Sequence, residues 1–387
     1  MKKVNVYGVG YIGLPTSVIL AESGYEVQGI DIKEEVINKI NKGISHIVEK
    51  DLDARLKSVV DSNRFKAQLT PTPADVHLIA VPTPINKDKT PNIDYVLNAA
   101  ESISSVLKDN DLIIIESTSP IGITEKVVQR LSKLTNGKKF FCAYCPERIL
   151  PGQMLFELEN NNRVVGGICP LSTEKAASFY QAFVKGRIHK TTATIAELSK
   201  LTENAFRDVN IAFANELSLL CNSLKVETSQ LISIVNDHPR VNVLDPGVGV
   251  GGHCIAIDPW FLISDYPNYT NLIATARKTN IDKTEWVKQD ILSKTNTHDK
   301  ILLLGISYKP NVDDLRESPA LEIAEFIKSN RTFCEIHDPF FEKYSAKNQK
   351  IVDTSNFDKI VILVNHEVFN SYDFSKSTCI DYTGKIL

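Results

Sequence analysis

The feature that most restricts how this chain can fold is Gly8-Val9-Gly10-Tyr11-Ile12-Gly13, placed directly after the short apolar-leaning strand Val4-Asn5-Val6-Tyr7. A helix follows from Leu14 to Glu22 and stops at Ser23-Gly24. A second strand, Glu26 to Ile30, then runs into Asp31, eighteen residues beyond Gly13. Each part has a distinct physical role. The glycines allow a tight turn and close backbone approach, the helix start faces a pyrophosphate, and the acid accepts from ribose hydroxyls. Arriving in this order, they predict a parallel α/β unit that binds a dinucleotide through Gly8, Gly10, Tyr11, Ile12, Gly13 and Asp31. A carboxylate at Asp31 repels a 2′-phosphate, so NAD is expected over NADP.

Further buried strands are expected at Val76–Val81, Leu112–Glu116 and Lys139–Cys145, each ending in a small polar loop. Ligands of a doubly wound sheet bind beyond the carboxyl ends of its strands, which makes Thr83, Thr118 and Glu147 site candidates by position. Each could equally be a helix cap or turn residue. Cys142 and Cys145 have metal-type spacing, but on a strand residues three apart point to opposite faces, and no second ligand pair follows. No metal is expected there.

Thr194-Ile195-Ala196-Glu197 reads as a capping box, and no Gly or Pro interrupts the chain from Ala196 to Leu224. One helix of roughly 40 Å is predicted. Leu198, Leu201, Ala205, Val209, Ala212, Leu217 and Leu220 supply its apolar side, while Lys200 and Asn204, four apart, stack as a pair of donors. A solvated helix face is the plainer reading of that pair. Further on, Gly247-Val248-Gly249-Val250-Gly251-Gly252-His253-Cys254 lays a glycine ribbon beneath a thiol, and a substrate could approach such a backbone closely. Asp258 reads as a helix N-cap with Pro259 at the first helical position. Cys254 is placed for nucleophilic work, or is a cysteine packed in a loop.

After a helical span ending near Ser293, an apolar strand at Lys300–Gly305 opens another α/β alternation: a loop over Ser307–Glu317, a helix starting at Ser318-Pro319, and strands near Phe333–His337 and Ile360–Val364. It lacks a glycine fingerprint, so a different nucleotide held by side chains such as Lys309 is expected. The 387 residues thus divide into an N-terminal Rossmann domain at 1–193, a central helical domain at 194–295 that carries the thiol, and a Rossmann-like domain at 296–387. Two nucleotide-type domains flanking that centre imply a cleft, entered by cofactor from one side and substrate from the other. A net charge of −3 offers no basic field for nucleic acid. The amino terminus reaches glycines too soon for a secretory signal, no 18-residue apolar run occurs, and seven scattered cysteines suit a reduced compartment. A cytoplasmic protein without a membrane span is expected.

The chain resembles the UDP-glucose/GDP-mannose dehydrogenase family over essentially its full length. The resemblance rests on Gly8-x-Gly10-x-x-Gly13, Ser117-Thr118, Pro146-Glu147-Arg148, Glu197-x-x-Lys200-x-x-x-Asn204-Ala205-Phe206, Gly251-Gly252-x-Cys254-x-x-x-Asp258 and Lys309-x(6)-Arg316-Glu317-Ser318. Within the family, Cys145–Gly152, Asn160–Arg163, His238–Asn242 and Asp258–Phe261 look nearest the branch acting on UDP-N-acetylmannosamine. The resemblance implies oxidation of a sugar primary alcohol to a carboxylate by two NAD molecules. Cys254 would trap the aldehyde as a thiohemiacetal that becomes a thioester. Lys200 and Asn204 would stabilise the oxyanion, each such donor being worth about 3 kcal/mol in a dry site. Asp258, with Glu147 and a water near Thr118, would serve proton transfer and hydrolysis. Tyr308 and Lys309 would hold the UDP-sugar, with Arg148, Leu150, Arg207, His238 and Gly251 completing its contacts. Arg163 would shape the substrate loop, Arg240 would reach substrate across a homodimer formed through the central helix, and Arg316 and Thr83 would meet the cofactor. Asn162 and Lys385 depart from common family residues. UDP-N-acetylglucosamine or UDP-glucose are alternative substrates, and a nucleotide-sugar-binding module with a dead centre is the alternative outside enzymes. A Cys254–His253 hydrolase dyad would leave the glycine fingerprint unexplained.

Overall fold

The structure, a computed structural model, describes residues 2–149, 152–341, 343–344 and 353–383. It divides into two compact units, Met1–Thr202 and Glu203–Leu387. The first is built on eight strands: β1 (Lys3–Tyr7), β2 (Glu26–Ile30), β3 (Phe65–Gln68), β4 (Val76–Ile79), β5 (Leu112–Ile115), β6 (Phe141–Tyr144), β7 (Arg163–Gly167) and β8 (Ile188–Thr192). They lie in the order β3-β2-β1-β4-β5-β6-β7-β8. All neighbours are parallel except β6 and β7, which run antiparallel through Ala143 and Tyr144. The order reverses between β1 and β4, where a doubly wound sheet opens its ligand crevice.

The strands are continuous apolar runs because both faces are covered. Val4, Val6, Leu78, Ile114 and Ala143 enter one core cluster, and Tyr7, Ile79, Ile113, Ile115 and Tyr144 enter the other. Each such side chain contributes about 2 kcal/mol by leaving water, so a charge at Ile114 would break the sheet. The same alternation separates the two spaced cysteines: Cys142 lies in the second cluster and Cys145 in the first. Burial pushes the Cys145 thiol up to about 12, which keeps it protonated and inert.

The second unit carries most of a 32-residue helix, Ala193–Leu224, about 48 Å long at 1.5 Å per residue. Its N-terminus corrects the expected capping box. Thr194 lies inside the helix, and Ile195 N instead donates to Thr192 Oγ1 at 3.4 Å. Glu197 faces away from its own N-terminus. Its carboxylate accepts from Gly122 N at 2.6 Å and from Thr124 N at 2.9 Å, and so caps the helix Ile123–Leu134. Of the expected apolar side, Leu201, Ala205 and Ala212 are buried, whereas Leu198 and Leu220 are exposed.

Beyond the thiol loop come a long helix, Asn271–Lys294, and a four-stranded parallel sheet. That sheet comprises β9 (Ile301–Leu304), β10 (Cys334–His337), β11 (Lys359–Ile362) and β12 (Thr378–Asp381), in the order β10-β9-β11-β12. Leu303 and Val361 face one core, Leu302 and Ile360 the other. The helix Pro319–Asn330 opens as the Ser-Pro pair predicts, with Leu321 N donating to Ser318 Oγ at 3.3 Å. Among the described residues, no helix is long and apolar enough to cross a membrane.

Candidate active site

The turn after β1 has the shape its glycines predict. Gly8 sits at φ +86°, and a Cβ on Gly13 would lie 1.8 Å from the Gly8 carbonyl oxygen, so the strand and the following helix touch through bare backbone. A Cβ on Gly10 would meet nothing within 4 Å. That open side, beside the start of the helix Gly13–Glu22, fits a pyrophosphate. Asp31 is held ready by two backbone donors, Val9 N at 3.2 Å and Lys33 N at 3.0 Å, and each carboxylate oxygen keeps a lone pair for a ribose hydroxyl. These residues therefore fit a bound dinucleotide. Tyr11 is about half exposed at the rim. Thr83 Oγ1 donates to the Thr118 carbonyl, which ties the loops after β4 and β5 together.

Past β6, the structure buries the carboxylate expected to handle protons. Glu147 accepts from Arg163 Nη1 at 2.6 Å and, through its other oxygen, from Arg148 N at 2.6 Å. Arg163 is only 2 % exposed; its second terminal nitrogen donates to the Leu158 carbonyl at 3.4 Å, and its guanidinium lies 5.4 Å from the Tyr180 ring centroid. This arginine, read from sequence as shaping a substrate loop, holds Glu147 from within the fold, because an unpaired guanidinium could not be buried so deeply. Beneath it, Tyr180 Oη donates to Glu116 Oε1 at 2.6 Å. Burial pushes the Glu116 carboxyl up to about 7 while Arg163 opposes it. Leu150 and Lys385 lie outside the described residues.

The second unit gathers the thiol loop. Asn204 Nδ2 donates to Asp258 Oδ2 at 2.5 Å, with both side chains buried. Asp258 occupies the N-cap position of the helix Pro259–Asp265, but its side chain makes no capping bond, since it faces Asn204. Cys254 is half-buried, and its carbonyl accepts from Ile257 N and Asp258 N at 3.0 and 2.8 Å, folding thiol and carboxylate into one turn. The glycine ribbon is packed against the protein's own chain. A Cβ on Gly251 would lie 2.4 Å from the Glu317 carbonyl oxygen, and one on Gly252 would lie 2.8 Å from the Tyr308 ring. Tyr308, so placed, has its phenol pushed up by burial and by the nearby charges of Asp314 and Cys254, against Arg316 and Arg207. Lys309 Nζ lies 5.6 Å from the Tyr308 ring centroid. Arg316 grips Asp314, Nε to both carboxylate oxygens at 3.0 and 3.1 Å. His253 helps Arg316 hold the Asp314 carboxyl below its ordinary range against burial.

Both ends of this loop are pinned by buried polar side chains that sequence reasoning missed. Gly247 N donates to Asn215 Oδ1 at 2.9 Å, Thr284 Oγ1 to the Val248 carbonyl at 2.9 Å, and Arg277 Nη1 to the Ala256 carbonyl at 3.0 Å. Arg277 is in turn paired with buried Asp208 at 2.9 Å. The available signal was weak: Arg277, Asn280, Thr284 and Lys288 recur at helical spacing, a pattern shared with any solvated face. Lys200 is half-buried one turn before Asn204, while Arg207, His238 and Arg240 are exposed.

A glycine turn shaped for a dinucleotide and a turn joining thiol to carboxylate together define a class, the dinucleotide-dependent oxidoreductases. The chain matches three domains of one family: the NAD binding domain over residues 2–184, the central domain over 194–282 and the UDP binding domain over 302–382. It is 43% identical to the UDP-N-acetyl-D-mannosamine dehydrogenase of Escherichia coli K12, covering 95% of this chain and 94% of that protein. It is also 43% identical to an NDP-N-acetyl-D-galactosaminuronic acid dehydrogenase of Ralstonia nicotianae, covering 96% and 92%. The solved structure of a UDP-D-ManNAc dehydrogenase from Pyrococcus horikoshii superposes with a TM-score of 0.91 at 37% identity, covering 100% of this chain and 96% of that one. The chain belongs to the UDP-glucose/GDP-mannose dehydrogenase family. It is an oxidoreductase, and its cofactor is NAD.

Proposed function

We propose that the chain is a UDP-N-acetyl-D-mannosamine 6-dehydrogenase, which converts the sugar's primary alcohol to the uronate in two successive oxidations. The observation that carries the chemistry is the Asn204–Asp258 pair on the turn that bears Cys254; the names of the relatives support the sugar. Bound NAD, cradled by Gly8, Gly10, Gly13 and Asp31, supplies the hydride acceptor for both oxidations. Cys254 sulfur adds to the aldehyde carbon to give a thiohemiacetal, whose oxidation leaves a thioester. Lys200 and Asn204 donate to the oxygen that carries negative charge at each stage. Asp258, held in place by the Asn204 amide, serves proton transfer. Glu147, held by Arg163, orients the water beside Thr118 that cleaves the thioester and frees the thiol. The balance is one alcohol, one water and two NAD+ in, one carboxylate, two NADH and three protons out.

Tyr308 and Lys309 hold the UDP-sugar, and Arg148, Arg207 and His238 line its path. Phe206, Phe213 and Leu220 are exposed and seven apart on the long helix, a spacing that makes one apolar stripe and supports a homodimer in which Arg240 reaches the neighbouring site. The proposed location is the cytoplasm. The test is a panel of UDP-sugars with NAD. UDP-N-acetylmannosamine should yield two NADH per sugar, with Cys254→Ser blocking net turnover. One NADH per sugar, or an unimpaired mutant, overturns the scheme. Preference for the galacto-configured sugar is the second reading, favoured by the equal identity to the Ralstonia relative.

A further inference from the structure

The loop proposed to hold the UDP-sugar leaves the central strand of the second sheet, and its two neighbouring strands each send one buried polar residue to brace it. Ser307-Tyr308-Lys309-Pro310-Asn311 follows β9; Asp338 directly follows β10; His366 lies four residues past β11, and both are completely buried. Asp338 Oδ2 accepts from Ile306 N at 2.8 Å and Ser307 N at 3.3 Å, and its other oxygen from Phe340 N at 3.0 Å. At the far end of the loop, Asn311 N donates to His366 Nδ1 at 2.9 Å. Asn311 holds a left-handed φ of +59°, and its Oδ1 accepts from Glu367 N at 3.0 Å.

These contacts decide the state of the imidazole. A backbone N–H can only donate, so Nδ1 is a bare acceptor and the ring proton sits on Nε2. Nε2 lies 3.0 Å from Asp338 Oδ2 and 3.2 Å from Ser307 Oγ, and that hydroxyl donates to the Lys309 carbonyl at 2.8 Å. Burial works against the Asp338 carboxylate, but His366 and the backbone donors hold it below its ordinary range. One ring therefore bridges the carboxylate at the start of the loop to the amide at its end, with Tyr308 and Lys309 between.

We propose that His366, as its Nε2–H tautomer, is a positioning residue that sets the Tyr308–Lys309 loop for the UDP-sugar. This rests on the reading that the loop binds that ligand. The roles of the two ring nitrogens can be separated by substitution. His366→Asn places an acceptor near Nδ1 and loses the bond to Asp338, whereas His366→Gln places a donor near Nε2 and frees Asn311 N.

Steady-state kinetics with saturating NAD should show His366→Gln raising KM for the UDP-sugar about tenfold, with kcat and the KM for NAD nearly unchanged and His366→Asn closer to wild type. Lys309→Ala is measured alongside. If it raises KM while His366→Gln does not, the positioning role is overturned; if it leaves KM unchanged, the reading of the loop itself falls and the inference with it. A merely structural histidine would lower Tm in both variants without separating their KM values, which also overturns the role. Should His366→Gln not fold, 15N-histidine spectra of the wild-type protein decide: a bare Nδ1 on His366 supports the inference, and a proton on it overturns it.

Discussion

The chain contains two glycine-rich stretches that look alike as sequence and do opposite things. At Gly8–Gly13 the backbone closes on itself at Gly13 and leaves the side of Gly10 open. At Gly247–Gly252 the crowding comes from the Glu317 carbonyl and Tyr308, residues of the protein's own C-terminal α/β region. The first stretch makes room for a ligand. The second removes side chains so that a loop can lie flat under Tyr308 and present Cys254 at its edge. Glycine marks where something comes close, and only the neighbours say what.

Single methyl groups test that contrast. Gly13→Ala should be the most damaging, since its Cβ would meet Gly8 O at 1.8 Å; a loss of about 3–5 kcal/mol by calorimetry, together with lost NAD binding, is expected. Gly251→Ala, 2.4 Å from Glu317 O, should cost about 2–3 kcal/mol and lower kcat while sparing NAD affinity. Retained stability in this variant would mean the ribbon is not packed as described. Gly10→Ala has open space and should keep its Tm, but raise the KM for NAD about tenfold, or ~1.4 kcal/mol of binding. A Tm loss matching that of Gly13→Ala would erase the distinction within the first turn.

Charge burial sharpens the comparison in the first unit. The folded Glu116 carboxyl, pushed up to about 7 from 4.5 by burial, binds its proton more tightly than the unfolded chain does. Its stabilising contribution is complete below 4.5 and is lost as pH rises through 7. Glu116→Gln should flatten that part of the Tm–pH profile by roughly 2–4 °C, and an unchanged profile would exclude Glu116 as its source. Gly247→Ala closes the series: the nearest atom to its Cβ is Gly249 O at 3.7 Å, so a change within about 0.5 kcal/mol is expected.

Much of the fold is readable from sequence because its signals are local. The strand expected at Glu26–Ile30 is β2 to the residue, and the helix at Ser318-Pro319 begins where its cap requires. The antiparallel β7 is not readable in this way: Arg163-Val164-Val165-Gly166-Gly167 carries no mark of direction, and only its pairing of Gly166 and Gly167 with Tyr144 and Ala143 of β6 reveals it. The capping box at Thr194 fails for a related reason. Glu197 has the right spacing for its own helix, yet a second helix start, 73 residues away at Thr124, offers it better-placed N–H donors. For the candidate site, sequence and resemblance named Cys254, Asn204 and Asp258, but not the Asn204–Asp258 bond across 54 positions, nor the grip of Arg277, Asn215 and Thr284 on the loop.

What the sequence determined by itself is what short-range sterics and periodicity decide: the glycine turn, the acid ending β2, the buried parallel strands and the unbroken long helix. The tertiary structure alone decided which buried polar groups satisfy one another. It set Arg163 on Glu147, Glu197 on the start of another helix, and His366 on Asn311. A buried charge or N–H must find a partner wherever the stacked strands bring one within about 3 Å, and no spacing rule in the chain records which strands those will be.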